Sequence, residues 1–479
     1  MKNPVTVAVV ALAALLAGCR TTKDILDDYD NDLASGAYEH ATVEVSQKAD
    51  DGGVDGLLWQ LQSGAAQYLA GDRQEAIRRF DLAEDAFIVN DGQSVFSQGS
   101  GTAMAMMTND RAFPYGGAGQ DRIFTCLYKA IDYASQGNVD SARTELNRVA
   151  QHQENWIYER RKDIESAEER LKKEADEYAQ KNNAENKSAG TVEKAFADAS
   201  FSAQIKEKCD FDTETSGDLE RLSAADYSNA YAQYVCGVFR WLSGDGGRDF
   251  IRDAAGVKPD NVLLKADLQA VDAGQKPKNM VWVFVEDGLC PTREEWRLDL
   301  PLVLIPYLNQ YVMYAGMALP TLKYRNAAVT GYSLVAGDVN RPMVELENID
   351  RLMKVEYDVY MRGALAREIT RTIVKVGAQV ALGVTAEHAP SYSSYALKAS
   401  QVAAAAWAAS VTAADLRCWT ALPKSVYAMR AMRPADGVLT VNCGLENVAV
   451  NLPEGNTMVF IRKTSSIAPA VVKSFTFPN

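Results

Sequence analysis

The sequence predicts an α+β protein with a helical-repeat N-terminal half and a β-rich α+β C-terminal half. Two observations predict this order. Apolar residues recur at helical spacing, interrupted by glycine breaks, up to about residue 273. After residue 274, short runs of β-branched and aromatic residues are separated by turn residues. The 479-residue chain is long enough for about two or three domains. We expect a signal peptide at 1–18, a helical-repeat domain at 19–273 and an α+β domain at 274–479.

The first twenty residues are typical of a bacterial lipoprotein signal. Lys2 precedes an apolar run at 5–16 that is too short to span a bilayer. The end of this run, Leu16-Ala17-Gly18-Cys19, resembles the lipobox of bacterial lipoproteins. The resemblance implies that Cys19 is acylated, becomes the mature N-terminus and holds the protein on a membrane through several acyl chains. The alternative is an ordinary secretory signal with a coincidental cysteine. Arg20 follows where an aspartate would favour the inner membrane, so we expect an outer-membrane lipoprotein facing the periplasm.

Three candidate helix pairs make up the N-terminal half, and each is broken by a glycine, at Gly71, Gly137 and Gly244. In a tetratricopeptide-like repeat, small side chains let two helices approach closely and a large side chain fills the gap between turns. The residues at these positions are Gly64, Ala76 and Phe80 in the first pair, Ala130, Tyr133 and Ala142 in the second, and Gly237 in the third. The pattern predicts a tetratricopeptide-like domain, with an irregular helical bundle as the alternative.

A long polar helix is predicted near 153–187, between the second and third pairs. Its apolar residues, Ile157, Ile164, Leu171 and Tyr178, recur every seven positions among Glu, Lys and Arg. Such a thin seam lets a helix pack on one neighbour. The helix is either a solvated extension or a coiled coil that binds a partner. Further upstream, residues 91–119 are rich in Gly, Ser and Met and predict a long loop or a loosely helical insertion.

The C-terminal half combines strands with two helices. Strands are predicted at 280–285, 302–305, 328–335, 342–346, 426–432, 437–443, 448–452, 457–463 and 471–477. Between them, apolar residues at helical spacing predict a long helix at 349–384. A second helix at 396–414 is almost entirely small residues. Because alanine lets backbones pack closely, we expect this helix to be buried against the sheet or its partner helix.

Three blocks of the C-terminal half carry a family resemblance. The first block contains Glu286, Asp287, Gly288, Pro291, Arg293, Glu295, Arg297 and Pro301, the second Arg362, Arg367, Arg371 and Lys375, and the third Arg417, Trp419 and Pro423. Together the blocks resemble an uncharacterised family of bacterial envelope lipoproteins with a tetratricopeptide-like N-terminal half. The resemblance implies no activity, although it hints at proteins that assist peptidoglycan synthesis.

The charges of these blocks leave two alternatives open. The first block contains the alternating charges Arg293, Glu294, Glu295 and Arg297. They form either a structural salt-bridge network or a polar binding patch. Arg417 could stack on Trp419 as a cation–π pair. Glu286 and Asp287 are neighbours on a predicted strand, so their side chains point to opposite faces and cannot flank one bond as a glycosidase pair does.

The composition disfavours several classes of function. The chain has 50 Lys and Arg against 63 Asp and Glu, a net charge of −13, which repels nucleic acid. With 3 histidines, a histidine-based metal or acid–base centre is disfavoured. The sequence contains neither a Gly-x-Ser-x-Gly nucleophile elbow nor a phosphate-binding loop. We therefore predict no catalytic residue, no cofactor and no metal site.

The cysteines after Cys19 are Cys126, Cys209, Cys236, Cys290, Cys418 and Cys443. An oxidising periplasm would permit disulfides among them, and the pairs closest in sequence are 209 with 236 and 418 with 443. The alternative is that they are buried free thiols.

The favoured function is a non-enzymatic envelope scaffold that presents its repeats to an envelope protein or peptide. The acyl chains at Cys19 would bind it to the membrane. Three alternatives stay open: an accessory factor for peptidoglycan or outer-membrane biogenesis, a cryptic hydrolase acting on envelope polymers, and a structural link to a secretion or adhesion assembly.

Overall fold

A computed structural model describes residues 20–92, 109–181, 198–299, 314–336, 339–388 and 390–477. The acylation candidate Cys19, the motif residue Pro301 and the predicted strand at 302–305 lie outside these ranges. The predicted order is confirmed: helices form the N-terminal half and the sheets lie in the C-terminal part.

The N-terminal helices run in chain order along the first 272 residues. They are α1 Thr22–Ser35, α2 Tyr38–Asp51, α3 Gly56–Ala70, α4 Arg73–Gly92, α5 Gly119–Ser135, α6 Val139–Lys181, α7 Ala199–Cys209, α8 Ala224–Tyr227, α9 Ala230–Ser243, α10 Arg248–Val257 and α11 Val262–Asp272. The predicted breaks are real helix ends, since Gly71, Gly137 and Gly244 have φ values of 86°, 81° and 79°. These left-handed conformations favour glycine and end a helix.

The predicted small residues allow the helices of a pair to approach closely. A Cβ atom on Gly64 would lie 2.5 Å from Cε1 of Phe80, and one on Gly237 would lie 2.6 Å from Cγ1 of Ile251. Three of the predicted positions are fully buried: Ala76, Phe80 and Ala142. Ala130 is nearly so, and Tyr133 is half-buried. Helix pairs α3–α4, α5–α6 and α9–α10 are thus present, while their assignment to a tetratricopeptide-like repeat stays a prediction.

The predicted long polar helix is a continuation of the second helix pair. Helix α6 extends without a break from Val139 to Lys181, because no glycine or proline interrupts it. Ile157 is half-buried, and the side chains of Ile164, Leu171 and Tyr178 lie outside the described ones. The choice between a solvated extension and a coiled coil stays open.

The strands form a five-stranded sheet, a four-stranded sheet and a hairpin. They are β1 Met280–Asp287, β2 Thr292–Asp299, β3 Gly316–Lys323, β4 Ser333–Ala336, β5 Val339–Pro342, β6 Val344–Asn348, β7 Ser425–Met432, β8 Val438–Cys443, β9 Glu446–Asn451, β10 Asn456–Lys463 and β11 Val471–Phe477. The first sheet has the order β11-β10-β1-β7-β6, the second has the order β5-β4-β8-β9, and β2 pairs with β3. Strands β1 and β10 are parallel, and their neighbours in the first sheet pair antiparallel.

Two predicted strands have different bounds. The prediction of a strand over 328–335 is wrong in its first part, because the N–H groups of Ala328 and Val329 donate to Oδ1 of Asp287, each at 3.1 Å, instead of to another strand. The predicted strand at 342–346 is split between β5 and β6, and Met343 lies between them with its N–H bonded to the carbonyl of Tyr332 at 2.9 Å.

The two halves of the chain share one hydrophobic core. On β1, Trp282 and Phe284 pack against the N-terminal helices, while Val281 and Val283 pack against the four-stranded sheet. This follows from the alternation of side chains along a strand. The result is a layer of helices, the five-stranded sheet and the four-stranded sheet. The expected boundary at 273/274 therefore separates helices from strands, but the core continues across it.

Two helices link β6 to β7. They are α12, Ile349–His388, and α13, Ser391–Val411. The prediction that the alanine-rich helix is buried against the sheet or its partner helix is confirmed on one side only: α13 packs on α12, and much of its opposite side is exposed. Its small side chains bury little area, so close packing on one neighbour leaves the rest of the helix uncovered. Among the described helices, none is both long and apolar enough to cross a membrane.

All six described cysteines are buried free thiols. The disulfide alternative is wrong for both pairs. Cys209 and Cys236 belong to different core clusters, and Cys443 packs between the two sheets, where Cys418 is absent.

Candidate functional site

The three sequence blocks meet at one place in the fold. The first block contributes Arg293 on β2, the second Arg367 and Arg371 on α12, and the third Arg417 in the segment after α13. They surround Asp110, which begins a short 3₁₀ turn. We call the residues Asp110, Arg293, Arg367, Arg371, Asp415 and Arg417 the arginine junction.

Asp110 is the centre of the arginine junction. Its Oδ2 accepts from Nη2 of Arg367 and its Oδ1 from Nη2 of Arg371, each at 2.7 Å. The two arginines are four residues apart on α12, so they lie on one face of the helix. Burial would raise the pKa of Asp110, but the two neighbouring positive charges outweigh it and hold that pKa far below its usual value. Sequence reasoning missed Asp110, because it lies in a stretch predicted as an irregular loop.

Arg417 is fully engaged in structural contacts. Its guanidinium donates to both carboxylate oxygens of Asp415 at 2.8 Å and to Oδ1 of Asp55 at 2.9 Å. It also donates to the carbonyl oxygens of Phe113 and Asp110, at 2.8 and 3.0 Å. Arg417 thereby ties the segment after α13 to the N-terminal helices.

The expected stacking of Arg417 on Trp419 is wrong. Arg417 lies over the ring of Tyr115, 5.9 Å from its centroid, while Trp419 is fully buried. The Trp419 ring packs 5.9 Å from that of Phe80 and 6.2 Å from that of Tyr128. The carboxylates hold the guanidinium in the polar junction, whereas the indole gains more by burial in the core.

Arg293 differs from the other arginines of the junction. Its guanidinium lies over the ring of Tyr360 at 4.5 Å from the centroid, and the residue is half-buried. Within the described part of the chain it forms no ion pair or hydrogen bond. A guanidinium offers five N–H donors in a planar fork that fits a carboxylate or a phosphate. Arg293 is therefore the arginine of the junction whose guanidinium has no carboxylate partner among the described residues.

The rest of the charged run is internally paired. Glu295 accepts from Nε of Arg297 at 2.7 Å and from the N–H of Ala414 at 2.9 Å. Glu294 pairs with Lys323 on the adjacent strand β3. The salt-bridge alternative thus holds for these residues, and the binding-patch alternative stays a prediction for Arg293.

Glu286 and Asp287 point to opposite faces of β1, as predicted. Glu286 accepts from the hydroxyl groups of Tyr231 and Tyr128 at 2.9 and 3.2 Å on the helical side. Asp287 accepts from Tyr332 on the side of the second sheet. A turn follows Asp287, since Gly288 has a φ of 61°. Pro291, Trp419 and Pro423 lie near the segment where the N–H of Cys290 bonds to the carbonyl of Leu422 at 2.8 Å.

A buried lysine–aspartate pair joins the helices to the sheet. Lys473 on β11 donates to Oδ1 of Asp132 on α5, and its ammonium lies 3.4 Å from the ring centroid of Tyr68. Burial lowers the pKa of Lys473 to about 8 and raises the pKa of Asp132 to about 6. No local pattern marks this pair, because its members are 341 positions apart.

A cluster of Glu84, Cys126 and Glu145 has the spacing of a metal site within the described residues. However, Nζ of Lys129 lies 2.7 Å from an oxygen of Glu84 and 3.0 Å from one of Glu145. An ammonium group thus already neutralises these carboxylates. The cluster is an internal ion-pair network, and the lysine fills the position that a metal ion would need.

Comparison of the chain with protein-family models, with curated proteins and with solved structures finds no match. Functional inference therefore depends on the residues and the geometry of this chain alone.

Proposed function

We propose that the protein is a lipid-anchored protein of the bacterial cell envelope, facing the periplasm, whose folded body binds an envelope protein or peptide and performs no catalysis. The position of the first helix relative to Cys19 carries the proposal. Thr21 caps α1, with its Oγ1 accepting from the N–H of Asp24 at 3.2 Å and Asp24 accepting from the N–H of Thr21 at 2.9 Å. One residue separates Cys19 from this cap. Acyl chains on Cys19 would therefore hold the body directly on the membrane surface, with no linker.

The binding part of the proposal is assigned to Arg293 instead of the helical repeats. The aromatic side chains of the helix pairs, Trp59, Tyr68, Phe80, Tyr231 and Tyr234, are at most 3% exposed. They belong to the core that faces the five-stranded sheet, so they are not accessible to a partner. Arg293 supplies a guanidinium for an acidic side chain or a C-terminal carboxylate of the partner.

The hydrolase alternative is less well supported. A glycosidase needs two carboxyl groups about 5–10 Å apart that face one substrate bond. Among the described residues, the close pair Glu84 and Glu145 is neutralised by Lys129, and Asp110 and Glu368 both pair with Arg371. These arrangements favour a structural role for the carboxylates.

The anchor is tested by fatty-acid labelling of Cys19. In a bacterial host, the wild-type chain should incorporate labelled palmitate, and the Cys19→Ala variant should incorporate none. Equal labelling of both chains would show that Cys19 is not the acylated residue.

The binding assignment is tested by cross-linking in envelope preparations. Partners recovered with the wild-type chain should be lost with Arg293→Ala and kept with Arg297→Ala. Arg297 is a matched control, because it lies on the same strand and is already paired with Glu295. Recovery of the same partners with Arg293→Ala would refute the assignment.

A further inference from the structure

We infer that the exposed apolar face of α13 lies on the surface of the lipid bilayer, as a second membrane contact beside the acyl anchor. The inference rests on the proposed function, because it takes the membrane that Cys19 would enter as the surface to which α13 binds. We take lipid as the surface that α13 contacts. Binding of a second copy of the chain to the same face is the alternative that the test would reveal.

The exposed side of α13 is mostly apolar, and its exposed polar residues are Lys398, Ser400 and Ser410. Its largest exposed side chains are Tyr395, Val402 and Trp407, which are 78%, 55% and 39% exposed. The exposed alanines of the same helix are Ala396, Ala399, Ala403 and Ala406. Positions 395, 399, 402 and 406 recur at helical spacing and so form one continuous stripe. Lys398 is the one residue of Ser391–Val411 that is charged at neutral pH.

The opposite side of the helix fixes its orientation. Gln401, Ala405 and Ala408 are buried against the rest of the protein, 5%, 8% and 1% exposed. Contacts with α12 account for this burial. Because one side is committed to the protein, the helix can lie along a membrane surface with its other side facing lipid.

Two aromatic residues near opposite ends of the exposed side of α13 suit an interface between lipid and water. Tyr395 and Trp407 are twelve positions apart, which corresponds to about 18 Å along a helix. Both residue types prefer the headgroup level of a bilayer, where one end of the ring is apolar and the other is hydrated. Lys398 adds a positive charge, and no acidic residue of α13 opposes contact with anionic headgroups.

The C-terminal end of α13 lies close to the anchored end of the chain. The carbonyl of Val411 accepts from Nδ2 of Asn109 at 2.9 Å. Asp110 follows Asn109 in the chain, and its carbonyl accepts from Arg417 at 3.0 Å. From there the contacts lead on to the N-terminus. Arg417 also donates to Asp55 at 2.9 Å, and Asp55 accepts from Oγ1 of Thr22 at 3.1 Å. A bilayer that holds Cys19 is therefore within reach of α13.

Vesicle flotation tests the inference with the chain from Arg20 onward, which contains every described residue and lacks the acylation site. The vesicles are phosphatidylethanolamine with phosphatidylglycerol. We expect this chain to float with the vesicles and Val402→Glu to bind roughly tenfold more weakly or less. Leu445→Glu should bind like the unmodified chain, because Leu445 is an equally apolar residue, 86% exposed, in the turn between β8 and β9.

Two further measurements make the result decisive. Lipids brominated in their acyl chains should quench part of the tryptophan fluorescence, and this part should vanish in Trp407→Phe. Ala406→Glu repeats the charge test at a second exposed position, for the case that Val402→Glu does not fold. Equal flotation of all variants, or flotation of none, would overturn the inference. So would a dimer in solution that Val402→Glu dissociates without any vesicle binding, since the face would then bind a second copy.

The palmitate experiment separates this inference from the proposed function. A chain that is labelled at Cys19 but whose unacylated form ignores vesicles has an anchor and no lipid-binding face. A chain that binds vesicles through Val402 but is never labelled has the face and no anchor.

Discussion

Replacing Lys473 by Met should destabilise the protein strongly, because it leaves the carboxyl group of Asp132 buried without the positive charge that balances it. The side chains of Lys473 and Asp132 are 3% and 0% exposed. Oδ1 of Asp132 accepts from Lys473, while Oδ2 has no hydrogen-bond partner within the described part of the chain. Removing one member of a buried ion pair costs about 3–5 kcal/mol. Methionine preserves most of the lysine volume, so the cavity contribution is small.

The double variant Asp132→Asn, Lys473→Met should recover most of this loss. With both charges gone, no uncompensated charge stays buried, and the free energy of unfolding should return to within about 1 kcal/mol of wild type. The control is Lys323→Met, which removes a lysine from a strand pair that is 60% and 48% exposed. An exposed pair contributes at most about 1 kcal/mol.

The pH dependence gives the sign of the effect. Asp132 already has its pKa raised to about 6 by burial, and loss of Lys473 should raise it further. A raised folded-state pKa adds stability below the unfolded pKa near 4, and this stability is lost as the pH rises. Wild type has the same slope below its own Asp132 pKa of about 6. The deficit of Lys473→Met should therefore shrink between pH 7 and pH 6, by at most about 1.4 kcal/mol, and change little from pH 6 to pH 5.

Urea unfolding followed by tryptophan fluorescence measures these differences. A loss below 1 kcal/mol for Lys473→Met at pH 7, or a deficit that grows toward pH 5, would show that the pair is not a desolvated charge pair. The same outcome would remove the argument that Lys473 links the helices to the sheet.

Three other substitutions and treatments follow from the packing. Gly64→Ala should cost about 1–3 kcal/mol in urea unfolding, because its Cβ would clash with Phe80, whereas Gly116→Ala, which has open space, should be nearly neutral. Asp110→Ala should cost about 3–5 kcal/mol by leaving Arg367 without its carboxylate and the buried Arg371 with Glu368 alone; a change below 1 kcal/mol would contradict the account of the junction. Burial raises the pKa of Cys209 and Cys236 to about 12, so thiol reagents should label these residues in urea and not in buffer, and mass spectrometry of the peptides would detect any labelling of the native chain.

Local sequence patterns predicted the bounds of elements in which each side has the same kind of surroundings from one end to the other. Strand β11 was predicted at 471–477 and is Val471–Phe477, and the helix predicted from 349 begins at Ile349. Alternation and helical spacing are sufficient where each side of an element meets one kind of surroundings. Glycine breaks likewise predicted the ends of the helix pairs, since a left-handed residue is a local property.

The contents of the arginine junction could be predicted only in part. All four of its arginines lie in blocks that the sequence singled out, but Asp110, the partner of Arg367 and Arg371, is more than 250 positions from both. Nothing in the sequence near residue 110 indicates that pairing. The prediction that α13 is buried fails on its exposed side for a related reason. Alanine content favours close packing but does not determine how many neighbours a helix has.

The final residues of the chain complete the packing of the first ones. Thr464 donates through Oγ1 to the carbonyl of Leu33 at 2.7 Å, and Tyr38 bonds to the carbonyl of Pro469 at 3.0 Å. The packing of α1 and α2 is therefore completed only after the segment from β10 to β11 has been made. A chain that is synthesised from the N-terminus keeps several hundred residues incompletely folded until its last strands are made, which slows folding and exposes it to aggregation. Chaperones that hold unfolded chains should thus have their greatest effect on this protein before its synthesis is complete, and a chain truncated before β10 should be degraded instead of accumulating.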